Sequence, residues 1–434
     1  MVVQLLFVLL AIVLGARLGG IGLGVIGGLG LAVLTFVFGL EPTAPPVDVM
    51  LMIAAVISAA ASMQAAGGLD YMVKLAEHML RKNPSKVTIL SPLVTYLFTF
   101  LAGTGHVAYS VLPVIAEVAR ETKIRPERPL GIAVIASQQA ITASPISAAT
   151  VALLGLLSDA NITLLQMLIV TIPATLIGVL AGAWYSMYVG KELEDDPVYQ
   201  QRLKEGYLEN KIIEKEKEQI NMTYAKISVA IFLLATFLVV LFGSLPSIRP
   251  SFDGKMIEMP HLIEIIMLSA AALILLITRT TGIKAAETTV LSAGMQAVIA
   301  IFGIAWLGDT FLNGNIAELS ANIEGMVNDM PWLFGIALFV MSILLYSQAA
   351  TVRAVMPLGI ALGISPWYLI ALFPAVNGYF FFPNYPTVIA AINFDRTGTT
   401  RIGKWVLNHS FMMPGLIATL VAILTAFLLI NILH

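Results

Sequence analysis

The sequence predicts an all-α polytopic membrane protein. It is read as two inverted repeats, each with five transmembrane helices, one re-entrant hairpin and discontinuous helices. Three observations predict this. The 434 residues are 58% hydrophobic and only 12% charged, with a mean hydropathy of +0.90, whereas soluble domains run near ~25% charged. Such a chain lacks the charged surface a soluble core needs, so lipid must cover much of it. Short breaks also recur inside apolar segments at matching places in the two halves. The basic residues, finally, collect on one side of the topology that these segments imply.

Taken in order, apolar segments run at roughly 2–16, 18–39, 47–67, 86–119, 130–158 and 164–190, then at 226–245, 262–278, 288–312, 331–364, 367–393 and 405–432. No basic residue precedes Val2–Gly15 and a second apolar run follows at once, so this stretch reads as a retained span rather than a signal peptide. The glycines at 15, 19, 20, 22, 24, 27, 28 and 30 include small-xxx-small spacings, which predict close helix packing. Gly27-Gly28-Leu29-Gly30 is no dinucleotide fingerprint, because it sits in an apolar span with no strand before it. Residues 69–82 are amphipathic, with Leu69, Met72, Leu75, Ala76 and Met79 on one helical face, and predict a helix lying in the membrane interface.

Segment 86–119 is too long for one span, and each of its halves falls short of the ~20 residues a span needs. Only Gly103-Thr104-Gly105 separates 86–102 from 106–119, which predicts a re-entrant hairpin. Segment 331–364 reads the same way around Ser347-Gln348-Ala349-Ala350-Thr351, and Pro113 and Pro357 stand ten residues past Gly103 and Ser347 respectively. Each hairpin is followed by a second break: Ala143-Ser144-Pro145-Ile146-Ser147, then Pro383-Asn384-Tyr385-Pro386-Thr387. Non-helical backbone at membrane depth must be buried in protein or line a water-filled cavity. Broken helices at matching positions of two halves mark a secondary transporter's midplane site.

With the N-terminus outside and each hairpin returning to its own side, 21 of the 24 Lys and Arg fall inside. Arg249 and Lys255 fall outside, and Arg353 lies in the membrane. The connection at 313–330 carries Glu318, Glu324 and Asp329 but no Lys or Arg, as an outside loop would. Ten crossings and two hairpins result, with both termini outside. The N-terminal repeat covers 1–190, a polar cytoplasmic linker 191–225, and the C-terminal repeat 226–434. The stretch 191–226 holds seven Lys and Arg and nine Asp and Glu and reads as a solvated, partly helical connection.

A broken helix leaves N–H groups unpaired at one end and C=O groups at the other. The N–H ends attract anions, and the carbonyl ends can hold a cation. The candidate substrate-binding residues are Thr104, Gly105 and His106, Ser144, Pro145 and Ser147, Ser347, Gln348 and Thr351, and Asn384, Tyr385 and Thr387. Arg353 joins them as the one Lys or Arg placed within the membrane, a functional hypothesis by default with a fork suited to a carboxylate. Snorkelling outward, or pairing with Asp309, is the structural alternative for Arg353. His106 could carry a proton or satisfy a helix-end carbonyl, and Tyr385 could wall the site or pack. Together the breaks would receive a small anion with several carboxylate oxygens.

Other classes find less support. There are no cysteines and no HExxH pair among the five scattered histidines, so no metal site is expected. No basic stripe suggests nucleic acid. No Walker A motif suggests a pump, and no Ser/His or paired-Asp constellation suggests an intramembrane enzyme. A channel, or a carrier for another small organic anion, remains the competing reading. No cofactor is called for, and a coupling Na+ or H+ is left open.

Several stretches resemble the Dcu family of bacterial anaerobic C4-dicarboxylate transporters: Gly15-Ala16-Arg17-Leu18-Gly19-Gly20, Gly67-Gly68-Leu69-Asp70, Gly103-Thr104-Gly105-His106, Ala143-Ser144-Pro145-Ile146-Ser147, Trp306-Leu307-Gly308-Asp309-Thr310, Ser347-Gln348-Ala349-Ala350, Phe394-Asp395-Arg396-Thr397-Gly398-Thr399-Thr400 and Asn408-His409-Ser410. The likeness runs in order through essentially the whole chain. Asn384 stands where the family's Pro-Thr-Tyr-Pro has Thr. The resemblance implies fumarate, succinate, malate and aspartate as substrates. It also implies fumarate/succinate antiport, or ion-coupled uptake or efflux, across the bacterial inner membrane in anaerobic metabolism. By fold-level analogy it implies an elevator-type member of the wider ion-transporter group. A homo-oligomer and a regulatory protein partner are left open.

Overall fold

A computed structural model describes residues 1–18, 21–45, 47–157, 160, 162–206, 221–253, 255–329, 332–345, 347–383, 385–403 and 407–433. In the first half α1 covers Val2–Leu18, α2 Gly22–Phe36, α3 Val47–Ala65, α4 Gly68–Lys82, α5 Val87–Ala102, α6 Ala108–Glu121, α7 Glu127–Ile141, α8 Ala148–Leu156 and α9 Leu164–Ser186. After α10, Pro197–Lys204, the second half holds α11 Met222–Ser244, α12 Met259–Thr278, α13 Gly282–Ala286, α14 Thr289–Asp329, α15 Trp332–Leu345, α16 Gln348–Ala361, α17 Pro366–Leu372, α18 Pro386–Phe394 and α19 Met412–Leu433. One element departs from the all-α expectation. Ser251–Phe252 and Lys255–Met256 pair as an antiparallel β-hairpin between α11 and α12.

Among the described residues, five helices are each long and apolar enough to cross a membrane: Pro84–Ala102, Leu164–Ser186, Met222–Gly243, Met259–Thr278 and Met412–Leu433. Helices α3 and α4 pass together as a sixth, but they bend by 70° at Gly67, whose φ of 83° is left-handed and suits glycine. Of the remaining predicted spans, 288–312 lies within the 41-residue α14, and the others are shorter helices or helices interrupted by the breaks.

Close approach of small residues sets the packing. Helix α2 lies on α14 so closely that a Cβ on Gly303 would collide with the backbone of Gly24, and one on Gly24 with the backbone of Ile299. The glycine-rich start therefore serves helix contact, as its spacing predicts. Helix α19 lies on α9, where Ala418, Ala422 and Ala426 are buried and Gly178 and Gly182 meet the α19 backbone. Leu420, Leu424, Leu428 and Ile432 recur every fourth residue on the opposite face and are all exposed. That stripe suits lipid and would be a liability in water.

Two expectations change, and the partly helical reading of the linker stands over 191–206. Leu69, Met72, Ala76 and Leu80 of α4 are buried against the protein, where α4 packs on α6 and α11, while Leu75 and Met79 are exposed. The amphipathic face mostly covers neighbouring helices rather than lipid, because the 70° bend lays α4 across them. The 313–330 connection is not a loop, since α14 continues through it to Asp329. The linker is folded over 191–206. Leu193–Asp195 forms a 3-10 turn, and Asp196 caps α10 by accepting the N–H groups of Val198 and Tyr199. Residues 207–220 lie outside the described residues.

Candidate functional site

The first break falls where predicted, although the Pro84–Ala102 helix before it is long and apolar enough to cross a membrane by itself, longer than the sequence reading allowed. Helix α5 ends at Ala102 because Gly103 takes a left-handed φ of 68°, its N–H closing on the Thr99 carbonyl. A 3-10 turn at Gly105–Val107 leads into α6. The second hairpin turns more tightly than predicted. The Ser347 hydroxyl accepts the Ala350 N–H at 3.2 Å and starts α16 at once. Gln348 and Thr351 thus form the first helical turn and are not part of the break, because a serine N-cap makes helix favourable from the next residue.

The break between α7 and α8 is closed by its own hydroxyls. Ser144 donates to the Phe100 carbonyl at 2.7 Å, an orphan at the end of α5. Ser147 donates to the Ile141 carbonyl at 2.6 Å and accepts the Thr150 N–H at 3.1 Å, capping α8. Ile146 packs against Gly103 of the hairpin tip, and Pro145 is buried beside it. In the second half the chain leaves α17 through a 3-10 segment, Phe373–Phe380, in which Asn377 drops out of helical geometry at φ −100°, ψ 28°. It re-forms helix at Pro386. Asn384 and the side chain of His106 lie outside the described residues. Thr104 lines a cavity of about 100 Å3 between the first hairpin tip, the start of α8, α3 and α14.

A cluster of side-chain amides joins the breaks. Gln348 Nε2 donates to Gln138 Oε1 at 2.7 Å and to Asn377 Oδ1 at 3.2 Å. Asn377 Nδ2 donates to Gln139 Oε1 at 3.2 Å and reaches Thr142 at 3.4 Å. Gln139 Nε2 donates to Thr419 at 2.9 Å. A Cβ on Gly105 would stand 2.6 Å from Gln138 Nε2, and Ser137 reaches the Gly105 carbonyl at 3.4 Å. Gln138 therefore touches both hairpin tips. Gln138, Gln139 and Asn377 are at most 1% exposed, and Gln348 is 7% exposed. Sequence reasoning missed Gln138, Gln139 and Asn377. Consecutive amides within the apolar 130–158 run were the available signal, since polar groups are costly there.

Arg353 is buried on α16 but lies apart from this cluster. Five residues past Gln348, it stands about 140° further round the helix. Its neighbours Ala350 and Ala354 pack with α1, α2 and α14, and its charge interacts with Asp309 of α14. Tyr385 packs on Tyr379 with ring centroids 4.7 Å apart, and Tyr379 donates to the Val134 carbonyl at 3.3 Å. Thr387, in the first turn of α18, is 2% exposed and its hydroxyl has no hydrogen-bond partner among the described residues.

A second polar cluster lies on the face carrying the linker. Arg125 pairs with Glu127 and Asp196, each at 2.5 Å, and Ser410 donates to Glu127 at 2.7 Å. Burial works to raise the Asp196 carboxyl. The Arg125 hydrogen bond and two backbone N–H groups outweigh it and hold the group below its ordinary value. A cavity of about 560 Å3 opens beside this cluster, next to Arg401 and His409. Among the described residues no group of His, Asp or Glu could hold a metal ion.

The anaerobic C4-dicarboxylate membrane transporter family matches residues 1–434. The chain is 46% identical over 433 residues to the C4-dicarboxylate transporter DcuA of Escherichia coli, covering 99% of each chain. It is 44% identical over 434 residues to the DcuA of Wolinella succinogenes, covering 100% of each. It is 42% identical over 434 residues to the anaerobic C4-dicarboxylate transporter DcuB of Shigella flexneri, covering 97% of this chain and 96% of that one.

Proposed function

The chain belongs to the anaerobic C4-dicarboxylate membrane transporter family, and from that premise we propose that it is a secondary carrier of fumarate, succinate, malate and aspartate across the bacterial inner membrane. It is an integral membrane transporter and not an enzyme. The observation that carries the finer reading is the meeting of Gly105 and Gln348, from the two hairpin tips, with Asn377 of the 3-10 segment at Gln138 and its amide partners on α7. A dicarboxylate brings about two negative charges, and desolvating them is costly unless donors replace water. Helix-end N–H groups and amide NH2 groups supply donors without a fixed charge that would trap the substrate.

The substrate is proposed to lie among Thr104, Gly105 and His106, Gln348 and Thr351, and Asn384, Tyr385 and Thr387. Ser144, Pro145, Ser147 and Ser347 shape the breaks around it. Arg353, facing α14, serves as a counter-charge at the edge of the site. The inverted-repeat reading is supported by the packing. Exchanging the halves maps the pair α1 and α2 onto α11 and α12, α2 and α14 onto α12 and α3, α5 and α7 onto α15 and the 3-10 segment, and α8 and α16 onto α18 and α6. All of these pairs touch. Elevator-type movement of the hairpins and broken helices against α1–α3, α11, α12 and α14 follows as the transport step. The 21-to-2 division of Lys and Arg supports periplasmic termini and a cytoplasmic linker.

Exchange of labelled succinate for fumarate in proteoliposomes, with and without a sodium or pH gradient, tests the function. Saturable counterflow is expected. Flux that neither saturates nor shows counterflow would mean a channel. No succinate flux at all, with another organic anion carried, would mean a different substrate.

A further inference from the structure

Four helices begin at the breaks, and they are not alike: α6 continues from the 3-10 turn at Gly105–Val107 with no side-chain cap. Ser147 caps α8 and Ser347 caps α16, each accepting a backbone N–H three residues on. Helix α18 has no such cap. Its N-cap, Tyr385, makes no side-chain capping bond, and Pro386 at the first position has no N–H. The N–H groups of Thr387 and Val388 have no acceptor within the helix, and Ile389 is the first to close, on the Tyr385 carbonyl at 3.1 Å.

The independent observation is Thr387 itself. Thr95, Thr175 and Thr278 bond the carbonyl four residues back at 2.7 Å, whereas the hydroxyls of Thr35 and Thr171, like that of Thr387, have no partner among the described residues. Thr387 stands in the first turn, so the residue four back precedes the helix. Its hydroxyl is buried and has no partner among the described residues, and buried polar groups in folded proteins are nearly always satisfied. A buried hydroxyl and two first-turn N–H groups with no acceptor inside their own nine-residue helix favour a ligand made of acceptors.

Resting on the carrier reading above, we propose that the N-terminus of α18, headed by Thr387, is the subsite that holds one substrate carboxylate, while the capped ends of α8 and α16 do not. Tyr379 and Tyr385 wall this subsite, and Tyr379 anchors to Val134. On α7, Val134 precedes Gln138 by four residues, about 6 Å along the helix axis. The second carboxylate of a four-carbon diacid then falls at the amide cluster, and the site measures chain length between the two ends.

The test uses the full chain in proteoliposomes. Thr387→Val keeps the shape and removes the hydroxyl. It should raise the apparent KM for succinate roughly 10- to 100-fold, the range for a hydrogen bond to a charged group. Thr387→Ser should stay near the parent. The sequence has no cysteine, so Thr387→Cys supplies a single thiol, and saturating succinate should slow its reaction with methyl methanethiosulfonate at least several-fold. If Thr387→Val fails to fold, the thiol decides. An unchanged KM in Thr387→Val, or a thiol that never reacts or reacts regardless of succinate, overturns the subsite while succinate exchange by the parent protein leaves the carrier reading standing. Absence of exchange by the parent protein sinks that reading instead.

Discussion

The amide cluster at the breaks and the cluster on the linker face are both buried, yet they are built from opposite materials. Gln138, Gln139, Gln348 and Asn377 carry no formal charge and bond one another. Arg125, Glu127 and Asp196 are ionised groups, with side chains 4%, 11% and 6% exposed. The ionic set holds three separate parts of the chain together: the turn before α7, the linker, and Ser410 before α19. The amide set leaves its own elements only weakly tied. A permanent charge fixes geometry strongly, because removing either partner strands the other. Neutral amides can exchange one partner for another at little cost, which is what a site that repeatedly loads and releases an anion needs.

The comparison can be broken most directly at Arg125. Arg125→Ala should destabilise the protein by about 3–5 kcal/mol, the usual cost of stranding a buried charge, read as a large fall in the thermal midpoint in detergent. An unchanged midpoint would remove the structural role assigned to the ionic set. Arg353→Gln should weaken succinate transport tenfold or more, since losing a buried charged partner costs on the order of 2–5 kcal/mol. Arg353→Lys should recover part of that, because the planar fork is lost. Normal membrane levels with unchanged affinity and rate in Arg353→Gln would make this residue structural.

Gln348→Leu strands the acceptors on Gln138 and Asn377. About 1–3 kcal/mol is expected, appearing mostly as slower exchange, and exchange at the parent rate would show that the amides are packing only. Ser147→Ala removes a cap and should cost about 0.5–2 kcal/mol of stability with little change in succinate affinity. A tenfold loss of affinity there would turn the cap into a ligand. The smallest effect concerns pH. The Asp196 carboxyl titrates lower in the folded protein than unfolded. Its contribution is therefore complete above the ordinary carboxylate range and disappears as pH falls through the folded value. Asp196→Asn should flatten the acid limb of a midpoint-against-pH curve, and an identical acid limb would count against the pairing.

The sequence by itself determined the membrane class, the breaks at Gly103 and Ser347, and the breaks after α7 and before α18. These follow from hydropathy and from glycine, serine and proline at fixed places, where conformational preference is local. Close packing through the glycines of α2 was equally legible. Other features needed the tertiary structure. Leu69 and Met72 mark an apolar face of α4 but do not say whether lipid or α6 and α11 will cover it. Ser147 and Thr387 look alike as hydroxyls at breaks, and only the folded backbone decides that one is satisfied and the other is not. Gln138, Gln348 and Asn377 are separated by up to 239 residues in the chain. Their meeting depends on how α7, α16 and the 3-10 segment cross, which no local propensity encodes.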